Sequence, residues 1–322
     1  MIGISRPEDD TPVRRGNTLA PPGGASRRKP LRSRWAAVAG HRAGWDTRRV
    51  LPADNHVHSE WSYDTFGRTS MVAACQRAAE LGLPSIAFTE HLDFADYGEG
   101  DAIAATGITP GWWDAMRPLD VAGYLASIEE CRHRFPSLRI LTGVEAGEPH
   151  LFAGSVRAVL AAGSFDRVLG SLHALAWEGR MVNSSRLLKL LTPAEAMRRY
   201  LAEVVKVIEG SGAFEILAHL DYPRRQWPDS AGPFAESDFE EEYRAVLRAL
   251  AGSGRVLEIN TFSPVCSVTL LHWWRQEGGT AVSFGSDAHV ADRVADKFGE
   301  AVAVAEAAGF GRGRSLTDFW RC

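Results

Sequence analysis

From about residue 51 onward, seven short runs rich in Val, Ile, Leu and Phe recur, each followed by a longer segment with helical periodicity. The runs are "RRVLPADNHVH", "SIAFTEH", "RILTGVEAGE", "DRVLGSLH", "FEILAHLD", "RVLEINTF" and "TAVSFGSDAH". Several intervening segments, such as "SMVAACQRAAELG" and "TPAEAMRRYLAEVVKVIEGSG", open on Ser or Thr and close on Gly, as capped helices do. An unbroken series of strand then helix leaves two architectures, an open doubly wound sheet or a closed barrel. The polar residues separate them. A doubly wound sheet gathers its chemistry at one switch point, whereas a barrel can carry functional side chains at the C-terminal end of nearly every strand. His56 with His58, His91, Glu145, His173, His219, and Asp287 with His289 mark the ends of six of the seven runs. No glycine-rich nucleotide loop supports the open sheet. The pattern predicts an α/β fold, a distorted (β/α)7 TIM-like barrel.

The barrel is expected over residues 49–322, behind a tail over residues 1–48. Residues 1–50 carry 11 Lys or Arg against 4 Asp or Glu, so a segment of net +7 precedes a body of net −11 in a chain of net −4. Within it "TPVRRGNTLAPPGGASRRKPLRSR" is crowded with Pro, Gly, Ser and Arg and has no hydrophobic period, the composition of a disordered, solvated extension. No apolar run reaches about 18 residues and the N-terminus lacks the apolar centre of a secretory signal, so a cytoplasmic protein without a membrane span is expected. The four cysteines, Cys75, Cys131, Cys266 and Cys322, have no Cys-x-x-Cys spacing, which fits a reducing compartment and no catalytic thiol.

A single histidine at a strand end is more often structural than a ligand, so the argument rests on conjunction. His56 and His58 are two apart in a strand, which sends both imidazoles to one face. His91, Glu145, His173, His219 and Asp287 with His289 interrupt apolar runs at similar phase. Imidazoles with carboxylates form the ligand sets of Zn, Fe and Mn, and without thiolates the set fits a catalytic site better than a structural one. The other histidines act as a control. His41 lies in the tail, His133 on a charged helix end, and His272 in "LLHWWRQ", where packing is expected; His150 stays unassigned. Asp54, just before the pair, is expected to orient a histidine or seal the barrel rather than bind metal.

The ordered set "DNHVHSEWSYD", "FTEH", "GVEAGE", "GSLH", "AHLD" and "GSDAH" resembles the polymerase and histidinol phosphatase (PHP) superfamily, with its histidinol-phosphatase branch the nearest likeness. The resemblance runs from Asp54 to beyond His289. It implies a distorted (β/α)7 barrel with three divalent metals at its mouth, whether Zn, Fe or Mn. The first metal would take His56, His58, Glu145 and Asp287. Glu145 would bridge to a second held by His173 and His219, and a third would use Asp64, His91 and His289. One departure is Glu90, where Asp often precedes the histidine; its place behind the ligands makes the change tolerable.

Three divalent ions and three carboxylates would leave about +3 in a partly desolvated cavity, suited to a phosphate dianion. The implied activity is hydrolysis of a phosphomonoester, a small phosphorylated metabolite, with L-histidinol phosphate the substrate of the branch. A hydroxide bridging two metals would attack phosphorus in line, with Arg224 or Arg225 of "DYPRR" neutralising the phosphoryl oxygens and Asp221 protonating the leaving alkoxide. The segments "ADYGEGDAIAATGITPGWWDAMRPLD" and "WEGRMVNSSRLLKL" are lid candidates, where Trp112, Trp113 and Trp177 could stack on a ring or simply pin a loop. Other readings stay open. A nuclease or phosphodiesterase of the same superfamily would use the same metals, but the acidic body disfavours nucleic acid. An amidohydrolase barrel would want a strand-end lysine, and none stands at the fourth strand. A non-catalytic metal-binding module would be expected to have lost ligands.

Overall fold

The computed structural model describes residues 51–65, 67–95 and 118–322. The tail expected over residues 1–48, and Trp112 and Trp113 of the first lid candidate, lie outside the described residues. In chain order the first half runs β1 (Asp54–Val57), α1 (Met71–Glu80), β2 (Ser85–Leu92), α2 (Val121–Arg134), β3 (Arg139–Gly147), α3 (Ala153–Ala161) and β4 (Arg167–Ser171). Two further strands follow, β5 (Ala174–Trp177) and β6 (Arg180–Asn183), and then α4 (Pro193–Gly210) and β7 (Ile216–Leu217). The last part holds α5 (Glu240–Gly252), β8 (Val256–Asn260), α6 (Val268–Gln276), β9 (Ala281–Gly285), α7 (Phe298–Ala307) and β10 (Trp320–Arg321).

The helix starts are set locally. Ser70 accepts from the Ala73 amide ahead of α1, and Ser267 from Leu270 ahead of α6. Thr192 and Glu195 form a reciprocal capping box with Pro193 in the first turn of α4, satisfying amides that have no partner inside the helix. One stripe of α4, including Met197, Tyr200, Leu201, Val204 and Ile208, is buried against the sheet and α5.

The main sheet has the order β1-β2-β3-β4-β7-β8-β9-β10, parallel through β9, with β10 antiparallel on β9. β1 and β9 then approach each other. The His58 amide donates to the Ala288 carbonyl at 2.9 Å and the Asp287 amide to the His56 carbonyl at 2.7 Å, curling the parallel strands into a barrel. Period-two alternation sorts the side chains: Leu257, Ile259, Val282 and Phe284 pack outward with the helices, while Val256 and Ala281 join Leu169, Ile216 and Ala218 in a separate inner cluster. Asp54 does seal the closure. Its buried carboxylate accepts from the amides of Ser286 and Ala295, each at 2.9 Å, and of His56 at 3.4 Å, tying β1 to the segment that follows β9.

Three features depart from the sequence reading. The run "FEILAHLD" looks like a full strand but supplies only two ladder residues, because the chain leaves extended geometry at His219, whose φ is 21°. Within the second lid candidate, β5 and β6 form an antiparallel hairpin closed by Glu178 and Gly179, both with positive φ (48° and 81°), the geometry of a two-residue hairpin turn. Trp177 therefore pins a loop, its ring under the Arg199 guanidinium and against the core. His272 is exposed on α6 rather than packed. No helix among the described residues is long and apolar enough to cross a membrane.

If the Asp54 carboxylate holds the closure, Asp54→Ala strands buried amides and should cost about 2–3 kcal/mol. Urea unfolding checks this: the midpoint should fall while the slope of the transition stays that of the parent protein.

Candidate metal centre

Of the nine residues proposed as metal ligands, five histidines face the Glu145 carboxylate, and Asp64, Asp287 and His289 join the group through those histidines and each other, at the C-terminal ends of the strands. Glu145 sits two residues before the end of β3 and is fully buried. Its Oε1 lies 2.6 Å from His219 Nε2 and 3.2 Å from His173 Nε2, and its Oε2 lies 3.4 Å from His56 Nε2, 3.5 Å from His58 Nε2 and 3.1 Å from His91 Nδ1. Asp287 approaches His58 Nε2 at 3.3 Å and His56 Nε2 at 3.7 Å. Asp64, on the short helical turn after β1, reaches His289 at 2.8 Å and His91 at 3.3 Å. The His58 ring stacks on His91, centroids 4.2 Å apart, and lies 4.3 Å from His289.

The donor set suits divalent metal. Side-chain atoms of His56, His58 and Asp287 gather within 4.8 Å of one another, as do those of Glu145, His173 and His219, of His58, His91 and His289, and of His91, Asp93 and His173. The Nε2 atoms of His56 and His58 stand 3.2 Å apart, and those of His173 and His219 3.4 Å apart. Paired imidazole nitrogens at that distance, around a shared carboxylate, are arranged to share a cation. Asp64 Oδ1, Glu145 Oε2 and His219 Nδ1 are buried with no hydrogen-bond partner, so the protein alone leaves donor atoms unsatisfied.

Charges of both signs meet in the cluster, with carboxylates held ionised and imidazoles shifted in both directions. Burial, with His91 and His289 alongside, pulls His58 down to about 3, which keeps it neutral and able to donate a lone pair. Burial opposes ionisation of Glu145, but His173 and His56 outweigh it and hold the carboxyl well below its usual range. Burial likewise works against protonation of His56, His91 and His173, yet Glu258, Asp64 and Asp93 respectively, together with Glu145, raise all three.

Behind the gathered donor atoms lies a layer that the sequence reading largely missed. Glu258 accepts from His56 Nδ1 at 2.7 Å and from the His219 amide at 2.6 Å. Asp93 holds His173 Nδ1 at 2.8 Å and accepts from the Tyr63 hydroxyl at 2.7 Å. Glu148 receives the amides of His173 and Ala174, while burial and then Asp93 push it up to about 8. Such contacts fix the ring orientation and tautomer of a ligating histidine. Signals were present: Asp93 stands two residues past His91, hence on the same face, and Glu258 interrupts the one strand-like run without a proposed ligand. Glu90 accepts from the Ser59 and Ser62 hydroxyls, and Ser62 in turn meets His58 Nδ1 at 3.0 Å.

The three candidates for phosphate handling and proton transfer separate. Arg225 donates to Asp287, Asn260 and Ser263 and borders the cluster. Arg224 instead pairs with Asp221 and Glu236, each at 3.1 Å. The structure thus does not bring Asp221 or Arg224 to the gathered ligands: the Asp221 carboxylate is turned to Arg224. His150 pairs with Glu203 of α4, away from the cluster.

A family comparison fits this geometry, with the PHP domain matching residues 54–262. The chain is 28% identical over 251 residues to the histidinol-phosphatase of Lactococcus lactis subsp. lactis, covering 74% of this chain and 85% of that protein. It is 24% identical over 259 residues to a Clostridium acetobutylicum protein named "Probable histidinol-phosphatase", covering 79% and 92%. Its fold superposes with a TM-score of 0.67 and 25% identity on the crystal structure of the L. lactis histidinol phosphate phosphatase complexed with Zn, L-histidinol and phosphate, covering 84% of this chain and 99% of that one. The chain belongs to the PHP domain family. Within it, the chain falls in the histidinol-phosphatase-like branch and is an enzyme of the phosphatase class.

Two glycines let the supporting carboxylates approach. A Cβ on Gly285 would lie 2.0 Å from Glu258 Oε1 and 2.6 Å from His56 Cβ; one on Gly147 would lie 2.0 Å from Asp93 Oδ1. Gly285→Ala should therefore expel Glu258 from His56 and weaken divalent-metal binding about 10- to 100-fold with the circular dichroism retained. Metal titration followed by elemental analysis checks it, and parent-like affinity would show that the Glu258 contact does not support the ligands.

Proposed function

We propose that this chain is a metal-dependent phosphomonoesterase that hydrolyses L-histidinol phosphate to L-histidinol and phosphate, a step of histidine biosynthesis. The observation that carries the reading is the Glu145-centred cluster. Five imidazoles face its two oxygens, Asp287 closes one side, and Asp64 with His91 and His289 forms another group. In this reading His56, His58, Glu145 and Asp287 hold one ion, Glu145, His173 and His219 a second, and Asp64, His91 and His289 a third. The relatives' names and the ligands in the L. lactis structure support the substrate.

Divalent ions bound there would supply Lewis acidity to the phosphoryl oxygens and lower the pKa of water toward neutrality. The chain's own residues do the rest. Asp93 and Glu258 fix the rings of His173 and His56, so the donor atoms are in place before substrate arrives. Arg225 stands beside Asp287, its Nε on Ser263 and its Nη2 on Asn260 and Asp287, a fixed cation beside the cluster that would neutralise a phosphoryl oxygen. Asp221, turned to Arg224, braces that turn instead of donating a proton to the leaving group.

Purified protein should contain at least two divalent ions per chain, lose phosphatase activity to a chelator and regain it on adding back Zn, Fe or Mn. Histidinol phosphate should be hydrolysed in preference to a bis-aryl phosphodiester. Fewer than two ions would overturn the site, and diester cleavage without monoesterase activity would replace the reading with a phosphodiesterase. His173→Ala should abolish turnover of histidinol phosphate while keeping the parent's circular dichroism; retained turnover would remove that residue from the site.

A further inference from the structure

Among the proposed ligands, exposure is uneven. The side chains of His56, His58, Glu145 and Asp287 are at most 3% exposed, whereas Asp64 reaches 27% and His289 19%. The described residues thus leave the cluster open toward Asp64 and His289. Beside that opening stands Phe262, which is 51% exposed, its ring centroid 6.2 Å from that of His289 at an interplanar angle of 68°. The Arg225 guanidinium lies between Phe262 and Tyr222, 4.6 Å from each ring centre.

The exposure of Phe262 does not come from a loosely held loop. Asn260 Oδ1 accepts from the Phe262 amide at 3.0 Å, and the Thr261 amide donates to the Gly285 carbonyl at 2.9 Å. Lys297 donates to the Thr261 carbonyl at 3.0 Å, and Arg225 Nε to the Ser263 hydroxyl at 2.8 Å. Thr261 and Ser263 on either side are buried. A backbone tied from three directions that still presents an aromatic ring to water is built to hold that ring in place for something else to cover.

We propose that Phe262 is a specificity-determining residue: the wall of the mouth against which a flat ring in the leaving group of a phosphomonoester packs. A phosphoryl group between His289 and Arg225 has its ester substituent directed past Phe262, and a ring there covers the exposed aromatic face. An aromatic pair adds about 0.5–1.5 kcal/mol beyond its buried area, or roughly two- to thirteenfold in binding. The inference deepens the phosphomonoesterase reading and rests on it, but it does not require histidinol phosphate itself.

The test compares phenyl phosphate with glycerol 2-phosphate on the metal-loaded full chain. Phe262→Ala should raise KM for phenyl phosphate about five- to tenfold with little change in kcat, lowering the ratio of kcat/KM between the two substrates by about that factor. Phe262→Tyr should restore the ratio and Phe262→Leu should not. An equal loss on both substrates would mean that Phe262 only braces Arg225, and an unchanged ratio would mean that it touches no leaving group; either overturns the proposal. Wild-type turnover of phenyl phosphate but not of histidinol phosphate would remove the substrate proposed above, while the ratio would still decide the role of Phe262.

Discussion

The centre of this protein depends on one buried carboxylate shared by imidazoles from four directions. Glu145 brings a negative charge into the barrel, where an unpaired ion would be very costly, and the five rings around its oxygens are the compensation that the chain itself supplies. Those rings come from β1, β2 and the segments that follow β4 and β7. If any of these elements moves, the group around Glu145 comes apart. The barrel's closure and its chemistry are therefore one constraint: the Asp287 amide that bonds the His56 carbonyl belongs to a residue whose side chain faces His58.

The outer layer serves the same end by different means. Glu258, Asp93 and Glu148 each spend a buried carboxylate on holding an imidazole or its backbone, which would be poor economy in a core meant only for stability. Backbone geometry is bent to the same purpose. Asp287 has a φ of 53° and Glu148 of 45°, left-handed conformations at the two places where the chain turns beside the cluster. Strain next to the site, and apolar packing of the helices away from it, is how a barrel keeps one mouth rigid and polar.

Much of this was legible along the chain. The rhythm of strand and helix gave seven parallel strands because fully buried strands are short apolar runs, and helices are announced by Ser or Thr caps such as Ser70, Thr192 and Ser267. The histidines were visible because polar residues end six of the seven apolar runs at similar phase, a conjunction that packing alone does not call for. Less was visible where the signal is shorter than its period. β7 and β10 have two residues each, too few for alternation, and the β5 to β6 hairpin depends on positive φ at Glu178, a residue that does not advertise it. Asp93 and Glu258 stand out along the chain only as polar residues in or just past strand-like runs, and the fold alone shows which ring each one meets.

The sequence by itself determined the inventory: the imidazoles and carboxylates, their order, and the strand ends on which they stand, because period-two alternation and capping are local rules. Only the tertiary structure decided which atoms meet. It turned Asp221 to Arg224 and Arg225 to Asp287, although Arg224 and Arg225 are adjacent in the chain, because successive residues of a tight turn point in different directions. It also set Phe262 at the open side of the cluster. Contacts between residues far apart in sequence depend on how the barrel closes, and no local pattern encodes that.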